Sequence, residues 1–244
     1  MNTVTVRVLV ALGLLLTSAV ALAQAPDISG TWQRDPDPNA GGVDYPPPPG
    51  GPPPFKEPYA ATYKAFIHKR DAANQQGKQL LADASARCMP EGMPTLMGGT
   101  YDLEILQVKH EVVVLAEFLT QTRRIYLDET LPPLEEISPS YAGFSVGHWE
   151  GDVLVVHTAG VRENVQFMNM PHSKKMRITE RIRRVPTDRL EDRVTIEDPE
   201  VFTRPYTFTF GYKRDPGYRI LENICDNNRY GADSHGEMTL KVTP

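Results

Sequence analysis

The chain lacks the short motifs that mark several common enzyme classes. It contains no H-E-x-x-H zinc motif, no phosphate-binding P-loop and no dinucleotide-binding glycine fingerprint. One stretch, Gly143–Gly147, spells G-x-S-x-G, but it lies in a predicted hairpin strand that no helix follows, which excludes a nucleophile elbow. The six histidines are scattered. We therefore predict no cofactor and no metal ligands, although a zinc or iron site assembled from distant loops stays open.

The chain has fewer basic than acidic residues, 26 against 31. The formal net charge is −5, and because nucleic acid and anionic lipid are attracted by positive fields, we predict neither as a partner. After residue 23 no segment is apolar enough to cross a bilayer. We therefore expect the mature protein to be soluble.

Residues 1–23 have the organisation of a secretory signal. Arg7 precedes the apolar run Val8–Val20, and Ala21-Leu22-Ala23 forms a cleavage site of the A-x-A type. A membrane anchor is the alternative, but the apolar run is short for a span. We expect cleavage after Ala23 and a periplasmic or secreted protein.

Cysteine is limited to two residues, Cys88 and Cys225. An even pair in an oxidising compartment favours one disulfide, which here would close a long loop. In the chain-entropy model such a bridge stabilises a fold by about 4 kcal/mol. A catalytic thiol is the alternative interpretation.

The chain before residue 100 is predicted to form two parts that pack on a single β domain. Residues 24–56 contain a short strand at Asp27–Gln33 and a proline-rich strap with the run PPPPGGPPP, whose prolines favour polyproline II. Residues 57–99 contain a helix from about Glu57 to Asn74 with an aromatic stripe. A second helix is predicted at about 77–86, followed by a loop.

Residues 100–244 alternate apolar and polar side chains in short runs, which indicates about nine strands. Most runs are separated by short turns, so we predict a mainly β fold, an antiparallel up-and-down barrel of the lipocalin-like kind. Two longer interruptions, Glu129–Tyr141 and Ala159–Lys175, are predicted lid or rim segments. The predicted strands are Tyr101–Gln107, Glu111–Leu119, Thr122–Asp128, Gly143–Trp149, Asp152–Thr158, Met176–Val185, Arg189–Glu197, Tyr206–Tyr212 and Tyr218–Ile224.

The stretch Tyr141–Thr158 predicts a hairpin that turns at Glu150-Gly151. Because side chains alternate, His148 and His157 share one face with apolar residues, about 13 Å apart along the strands. The other face carries Trp149 and further apolar residues. Since both faces are apolar, we expect the hairpin to lie centrally in the sheet, with His148 on a covered face.

Acidic residues recur at positions where alternation predicts burial. Glu180 lies between Ile178 and Ile182 on one strand face, and Glu117 and Glu222 are flanked by aliphatic residues in the same way. A buried carboxylate must find a partner or raise its pKa. We expect these side chains to point into a shared hollow inside the barrel.

This predicted hollow would suit a small apolar or aromatic ligand that a few polar groups orient. It would also suit acid–base catalysis by Glu180 or Glu222 with His148 as proton partner, because burial moves a carboxylate towards neutral pH. Further predicted substrate contacts come from the aromatic face of one strand and from polar residues near the cavity: Glu117, Arg124, Tyr126, His157, His172, Tyr206, Phe208 and Phe210.

Several alternatives stay open at these positions. Either Glu180 or Glu222 can pair with an internal arginine such as Arg124 in a purely structural role. His148 can be a hydrogen-bonded core histidine, and His172 can lie in a solvated loop. The sequence leaves undecided whether Arg124 and its alternate neighbours or Arg123 and its alternate neighbours face inward.

Six stretches together resemble a largely uncharacterised family of secreted bacterial proteins: CMPEGMP, EILQ, RRIYLD, GFSVGHWEGDVLVV, PHSKKMRITERIRRV and VTIEDPEVFTRPY. The resemblance covers about Cys88 to Pro205 and implies no established reaction. Gly30-Thr31-Trp32 is similar to the G-x-W start of lipocalin-like, or calycin, barrels, a likeness that agrees with the strand count.

The leading functional prediction is an exported lipocalin-like protein that binds a small hydrophobic or aromatic molecule in a barrel cavity. The alternative is a cofactor-independent lyase, isomerase or hydrolase that uses the same cavity. A third hypothesis is an envelope interaction module with a fully packed interior and an exposed proline-rich strap.

Overall fold

Nine strands close into one barrel, in which each strand pairs with a neighbour on both edges. The structure is a computed structural model that describes residues 25–36, 50–76, 88–165, 170–186, 188–225, 230–232 and 238–240. The predicted signal sequence, the predicted second helix and residues 37–49 of the strap lie outside the described residues. Neither described helix combines the length and the apolar character needed to cross a bilayer.

The barrel strands follow one another in chain order, and a separate two-stranded sheet follows them. Helix α1 spans Tyr59–Gln75, the one-turn helix α2 spans Thr95–Gly98, and 3₁₀ turns lie at Phe118–Thr120 and Leu134–Glu136. The strands are β1 (Gly30–Arg34), β2 (Leu103–Gln107), β3 (Glu111–Ala116), β4 (Gln121–Tyr126), β5 (Phe144–Glu150), β6 (Val153–Ala159), β7 (Arg177–Val185), β8 (Arg189–Glu197), β9 (Tyr206–Arg214), β10 (Tyr230–Ala232) and β11 (Met238–Leu240).

The predicted mainly β barrel is confirmed, but its pairing is mixed. Every neighbouring pair is antiparallel except β4 and β5, which pair in parallel through Ile125 with Ser145 and Tyr126 with Val146. The prediction of a wholly antiparallel barrel is therefore wrong at this one position.

The connection across the parallel pair, residues 127–143, is named here the crossover. A hairpin turn cannot join parallel strands, because the chain must return to the end at which it started. The crossover passes along the outside of the barrel, where Glu129–Leu131 lie beside outward-facing residues of β5 and β6. Farther on, Ser140 forms a bridge with Val161, and its N–H donates to the Gly160 carbonyl at 3.0 Å. The two predicted rim segments thus contact each other.

The strand predicted at Tyr218–Ile224 does not form. This segment is irregular, and Leu221, Glu222 and Ile224 are exposed. The reason lies in the closure of the barrel, because β1 pairs with both β2 and β9 and leaves no free edge for another strand.

The central hairpin turns one residue later than predicted. Glu150 pairs with Val153, so the turn is Gly151-Asp152, and His148 pairs with Val155. A shift of two residues in the pairing keeps every side chain on its predicted face. The face with Ser145 and Gly147 points inward, and an added Cβ at Gly147 would lie only 2.9 Å from Ile125 Cγ2.

Helix α1 packs near Phe202, and helix α2 packs against β9. Helix α1 agrees with the predicted helix to within two residues at the start, and its Tyr63 ring lies 5.1 Å from Phe55, which lies 5.2 Å from Phe202. Helix α2 falls in a predicted loop. Its Met97 is fully buried and accepts a hydrogen bond through its carbonyl from the Tyr212 hydroxyl at 2.7 Å.

The predicted disulfide is present between Cys88 and Cys225, whose Cα atoms lie 5.6 Å apart. The bridge joins residues 137 positions apart in the sequence. It attaches the loop before α2 to the irregular segment after β9, and neither of these segments is held in the barrel by strand pairing.

Replacing both cysteines with serine should lower the free energy of unfolding by about 2–5 kcal/mol, because the unfolded chain regains the freedom of a long loop. Urea denaturation of the double variant measures this loss, and wild-type protein kept reduced is the matched control. Two free thiols in denatured protein that was never reduced would contradict the bridge.

Candidate functional site

The barrel interior is built around Arg123, which is 1% exposed. Its guanidinium forms a bidentate pair with Glu180, in which Nη1 donates to Oε1 at 2.8 Å and Nη2 donates to Oε2 at 2.5 Å. Nη2 also donates to the Thr158 hydroxyl at 3.0 Å and to the Ser145 hydroxyl at 3.2 Å. One residue from each of four adjacent strands, β4 to β7, thus contributes to this cluster.

Asp192 is the second fully buried carboxyl group of the interior. It lies on β8, one diagonal step from Glu180 on β7, and neither of its oxygens has a hydrogen-bond partner among the described residues. Burial, followed by the negative charge of Glu180, raises the pKa of Asp192 well above its usual range, and Arg123 and Arg34 oppose this rise. A proton on Asp192 would allow it to donate a hydrogen bond to Glu180.

The prediction that Glu180 points inward is confirmed, but its partner is Arg123 and the predicted arginine, Arg124, is exposed. Tyr206, Phe208 and Phe210 also point inward, as parts of one continuous hydrophobic cluster. The interior is thus occupied by aromatic and aliphatic side chains around a closed ion pair. Both oxygens of Glu180 are engaged by Arg123, an arrangement that suits structure and not proton transfer to a ligand.

His148 and Glu222 do not join Glu180. The side chain of His148 is 53% exposed on the outer face, with Nε2 at 3.2 Å from Glu150 Oε1, and Glu222 is exposed beyond the barrel. The prediction of one interior hollow shared by these three residues is therefore wrong. Apolar residues on the outer face led to the wrong prediction: Val146 is buried there, beside residues 129–131 of the crossover.

An open groove of about 510 Å³ runs along this outer face beneath the crossover. It is named here the outer groove. His148 and His157 stack in it with ring centroids 6.2 Å apart, much closer than the predicted 13 Å, because the true register makes them diagonal neighbours. His157 Nδ1 lies 3.2 Å from the Thr179 hydroxyl. The lining also includes Glu129, Thr130, Leu131, Val146, Arg177 and Glu197.

Arg124 and Tyr126 lie on the neighbouring part of the outer surface. Arg124 Nη1 donates to both carboxylate oxygens of Glu111, at 2.9 and 3.0 Å, and the Tyr126 ring stacks on Phe144 at 5.3 Å. His110 pairs with Asp128 in the same region. These residues line a second groove of about 510 Å³, in which Arg124 pairs with Glu111 and His110 pairs with Asp128.

Glu117 and His172 lie outside the strands, in different parts of the protein. Glu117 Oε2 accepts hydrogen bonds from the Tyr218 hydroxyl at 2.6 Å and from the Leu221 N–H at 3.2 Å, and so fastens the segment after β9. This hydrogen bond raises the pKa of Tyr218 to about 12. His172 lies in the segment that leads into β7, next to the buried Ser173.

Alternation could have identified some of the polar residues that were missed. Asp192 alternates with Leu190 and Val194 on β8, which is the same signal that marked Glu180. Arg123 could not be distinguished from Arg124, because each has a mixture of polar and apolar neighbours. The hydroxyls of Ser145 and Thr158 carry no signal of their own in the sequence.

No family model and no curated protein matches this chain. Among solved structures, it matches the wild-type fluorescent protein UnaG with a TM-score of 0.28 and 19% identity, over 47% of this chain and 72% of that one. An alanine variant of UnaG matches with a TM-score of 0.30 and 19% identity, over 48% of this chain and 76% of that one. A glutamine variant matches with a TM-score of 0.29 and 19% identity, over 54% of this chain and 84% of that one. At these TM-scores the likeness supports neither a family nor a function.

Replacing Arg123 with Met should lower the free energy of unfolding by about 3–5 kcal/mol, because Glu180 would stay buried without its partner. The double variant Arg123→Met/Glu180→Leu should recover most of this loss. The matched control is Arg183→Met at the exposed pair Arg183–Glu191, where solvent screens the charges and stability should be almost unchanged. Chemical denaturation measures all three, and equal losses at Arg123 and Arg183 would contradict the structural role of the interior pair.

Asp102, near Glu117 and Asp215, should make stability depend on pH. Burial, then the charges of Asp215 and Glu117, raise the pKa of Asp102 from 3.8 to about 6. Because the folded pKa is the higher one, the folded protein binds more protons, and stability falls as pH rises from about 4 to about 6.

Replacing Asp102 with Asn should remove up to about 3 kcal/mol of this decline, at about 1.4 kcal/mol per pKa unit. Urea denaturation at a series of pH values measures the slope, with Asp152→Asn in the exposed hairpin turn as control. An unchanged slope in the Asp102 variant would refute the assignment.

Proposed function

We propose that this protein is an exported binding protein for a small, flat aromatic molecule, which it holds in the outer groove. The observation that carries the proposal is the pair of stacked imidazoles, His148 and His157, beside the buried Val146 in a groove of about 510 Å³. This volume lies in the range of small-molecule sites, about 300–1,000 Å³. The barrel interior is filled by side chains that contact one another, and this filling favours a ligand site on the outer surface.

The lining explains why a flat aromatic molecule fits better than an aliphatic one. A planar ring can extend the stack of the two imidazoles, and ring stacking adds about 0.5–1.5 kcal/mol to the burial of area. Val146 and Leu131 supply apolar contact. Arg177 on β7 and Glu197 on β8 lie opposite each other in the strand register. They place a positive and a negative charge at the rim of the groove, where they can orient a polar substituent of the ligand.

Export is part of the same proposal. The sequence of residues 1–23 supports it, and so does the disulfide, because such bridges persist mainly in oxidising compartments. A binding site on the outside of a barrel is compatible with this setting, because ligand exchange needs no opening of the core.

The test compares naphthoate with its saturated decalin analogue, which has the same carbon skeleton but no flat ring. Naphthoate should bind more tightly, and His148→Ala and His157→Ala should each weaken its binding about threefold to tenfold through loss of stacking. Isothermal titration calorimetry measures affinity, and amide NMR shifts locate the site. His110→Ala in the neighbouring groove is the matched control and should leave affinity unchanged.

Two outcomes would overturn the proposal. The first is equal affinity for the flat and the saturated probe. The second is a set of NMR shifts centred on interior residues such as Phe208, together with unchanged affinity in both histidine variants.

A further inference from the structure

A small cavity of about 10 Å³ lies at one end of the barrel, and its lining residues are not those of the outer groove. It is named here the thioether cavity. It lies between the loop before α2, the segment that leads into β7 and the end of β8. Three methionines and one histidine line it together with apolar residues: Met93, Met170, His172, Met176, Ile196 and Phe202. The three methionines are 0–4% exposed, so their thioethers are shielded from solvent.

The histidine presents a free lone pair at this position. His172 Nδ1 lies 3.0 Å from the Ser173 carbonyl oxygen. A carbonyl oxygen only accepts hydrogen bonds, so Nδ1 carries a proton, and in the neutral ring the lone pair is then on Nε2. Nε2 is buried and has no hydrogen-bond partner among the described residues. This is the tautomer in which a histidine ligates a metal while its other nitrogen is held by a carbonyl.

The backbone around the donors is fixed on both sides of the cavity. Ser173 donates to Asp198 through its N–H at 2.6 Å and through its hydroxyl at 2.8 Å. On the other side, the Met93 N–H donates to the Tyr141 carbonyl at 3.0 Å. Asp198 and Tyr141 therefore position the backbone that carries His172 and Met93.

Water is a poor occupant of this cavity. The cavity is just large enough for one water molecule, but a buried water needs two to four polar partners. The walls offer one ring nitrogen and thioethers, which are weak hydrogen-bond acceptors. The nitrogen lone pair is better satisfied by a small cation that also accepts thioether donors.

We propose that the thioether cavity binds a soft monovalent metal ion, Cu(I), through His172 Nε2 and the sulfur atoms of Met93, Met170 and Met176. Thioether ligands favour the soft ion Cu(I), and imidazole is also a copper ligand. All four donors are neutral, which suits a single positive charge because burial of a second charge without an anion is costly. Within the described residues, no group of three or more His, Cys, Asp or Glu offers a competing metal site.

The disulfide removes the strongest competitor for a soft ion. The chain has two cysteines, and both are in the bridge between Cys88 and Cys225. No thiolate is therefore left to bind Cu(I). The site is independent of the proposed aromatic ligand, because the two sets of lining residues do not overlap.

The test uses full-length oxidised protein and Ag(I), a monovalent ion of the same softness that needs no reductant. One equivalent should bind and shift the ε-methyl NMR signals of Met93, Met170 and Met176. Competition between the protein and bathocuproine disulfonate then measures Cu(I) affinity without oxygen. Each Met→Leu replacement at these positions and His172→Phe should weaken binding by more than about tenfold.

Met97→Leu is the matched control, because Met97 is equally buried but does not line the cavity. Its affinity should stay within about twofold of wild type, and thermal melts confirm that every variant is folded. The proposal is overturned if Ag(I) leaves the three ε-methyl signals unchanged. It is also overturned if Met97→Leu weakens binding as much as the cavity variants, or if the His172 variant binds as tightly as wild type.

Discussion

The ion pair between Arg123 and Glu180 is the constraint on which the rest of the barrel depends. Two charges inside a protein are tolerated only when their geometry is good and their remaining donors are satisfied. Here the bidentate pair spans from β4 to β7, and the hydroxyls of Ser145 and Thr158 on the two intervening strands take the remaining donor directions. Four strands must therefore keep both their register and their inward faces. The polar side chains of the interior thus serve the structure of the barrel, and the outer surface is the better candidate for ligand binding.

The outer groove follows from the parallel pairing of β4 with β5. A wholly antiparallel barrel could join these strands with a short turn and would leave its outer face open to solvent. The parallel pair instead requires the crossover, residues 127–143, to travel along the outside, where its residues 129–131 line a groove together with the buried Val146. The same segment forms one wall of the groove in which His148 and His157 stack. Topology thus creates a second apolar surface, on the face that solvent would otherwise cover.

Period-two alternation predicted β7, β8 and the inward position of Glu180, because these strands have one polar and one apolar face. The same rule placed His148 wrongly, since the crossover makes the outer face of β5 apolar as well, and no local pattern reveals a covering segment that is distant in sequence. It also predicted a strand around Glu222, where Ile224 is 61% exposed. A run of alternating residues can form a strand only where a sheet edge is free to pair. The edge of β9 is not free, because β1 pairs with it.

Strand β7 connects the two proposed sites to the interior pair. Ile178 and Glu180 face inward, as does Met176 just before the strand at the thioether cavity, while Arg177 and Thr179 face the outer groove. A slip of one residue in β7 would exchange these two sets. It would also place Glu180 in water and leave Arg123 buried without its partner, which is the more costly change. The buried ion pair therefore fixes the register of β7, and through that register it holds Met176 and the groove residues Arg177 and Thr179 on opposite sides of the barrel wall.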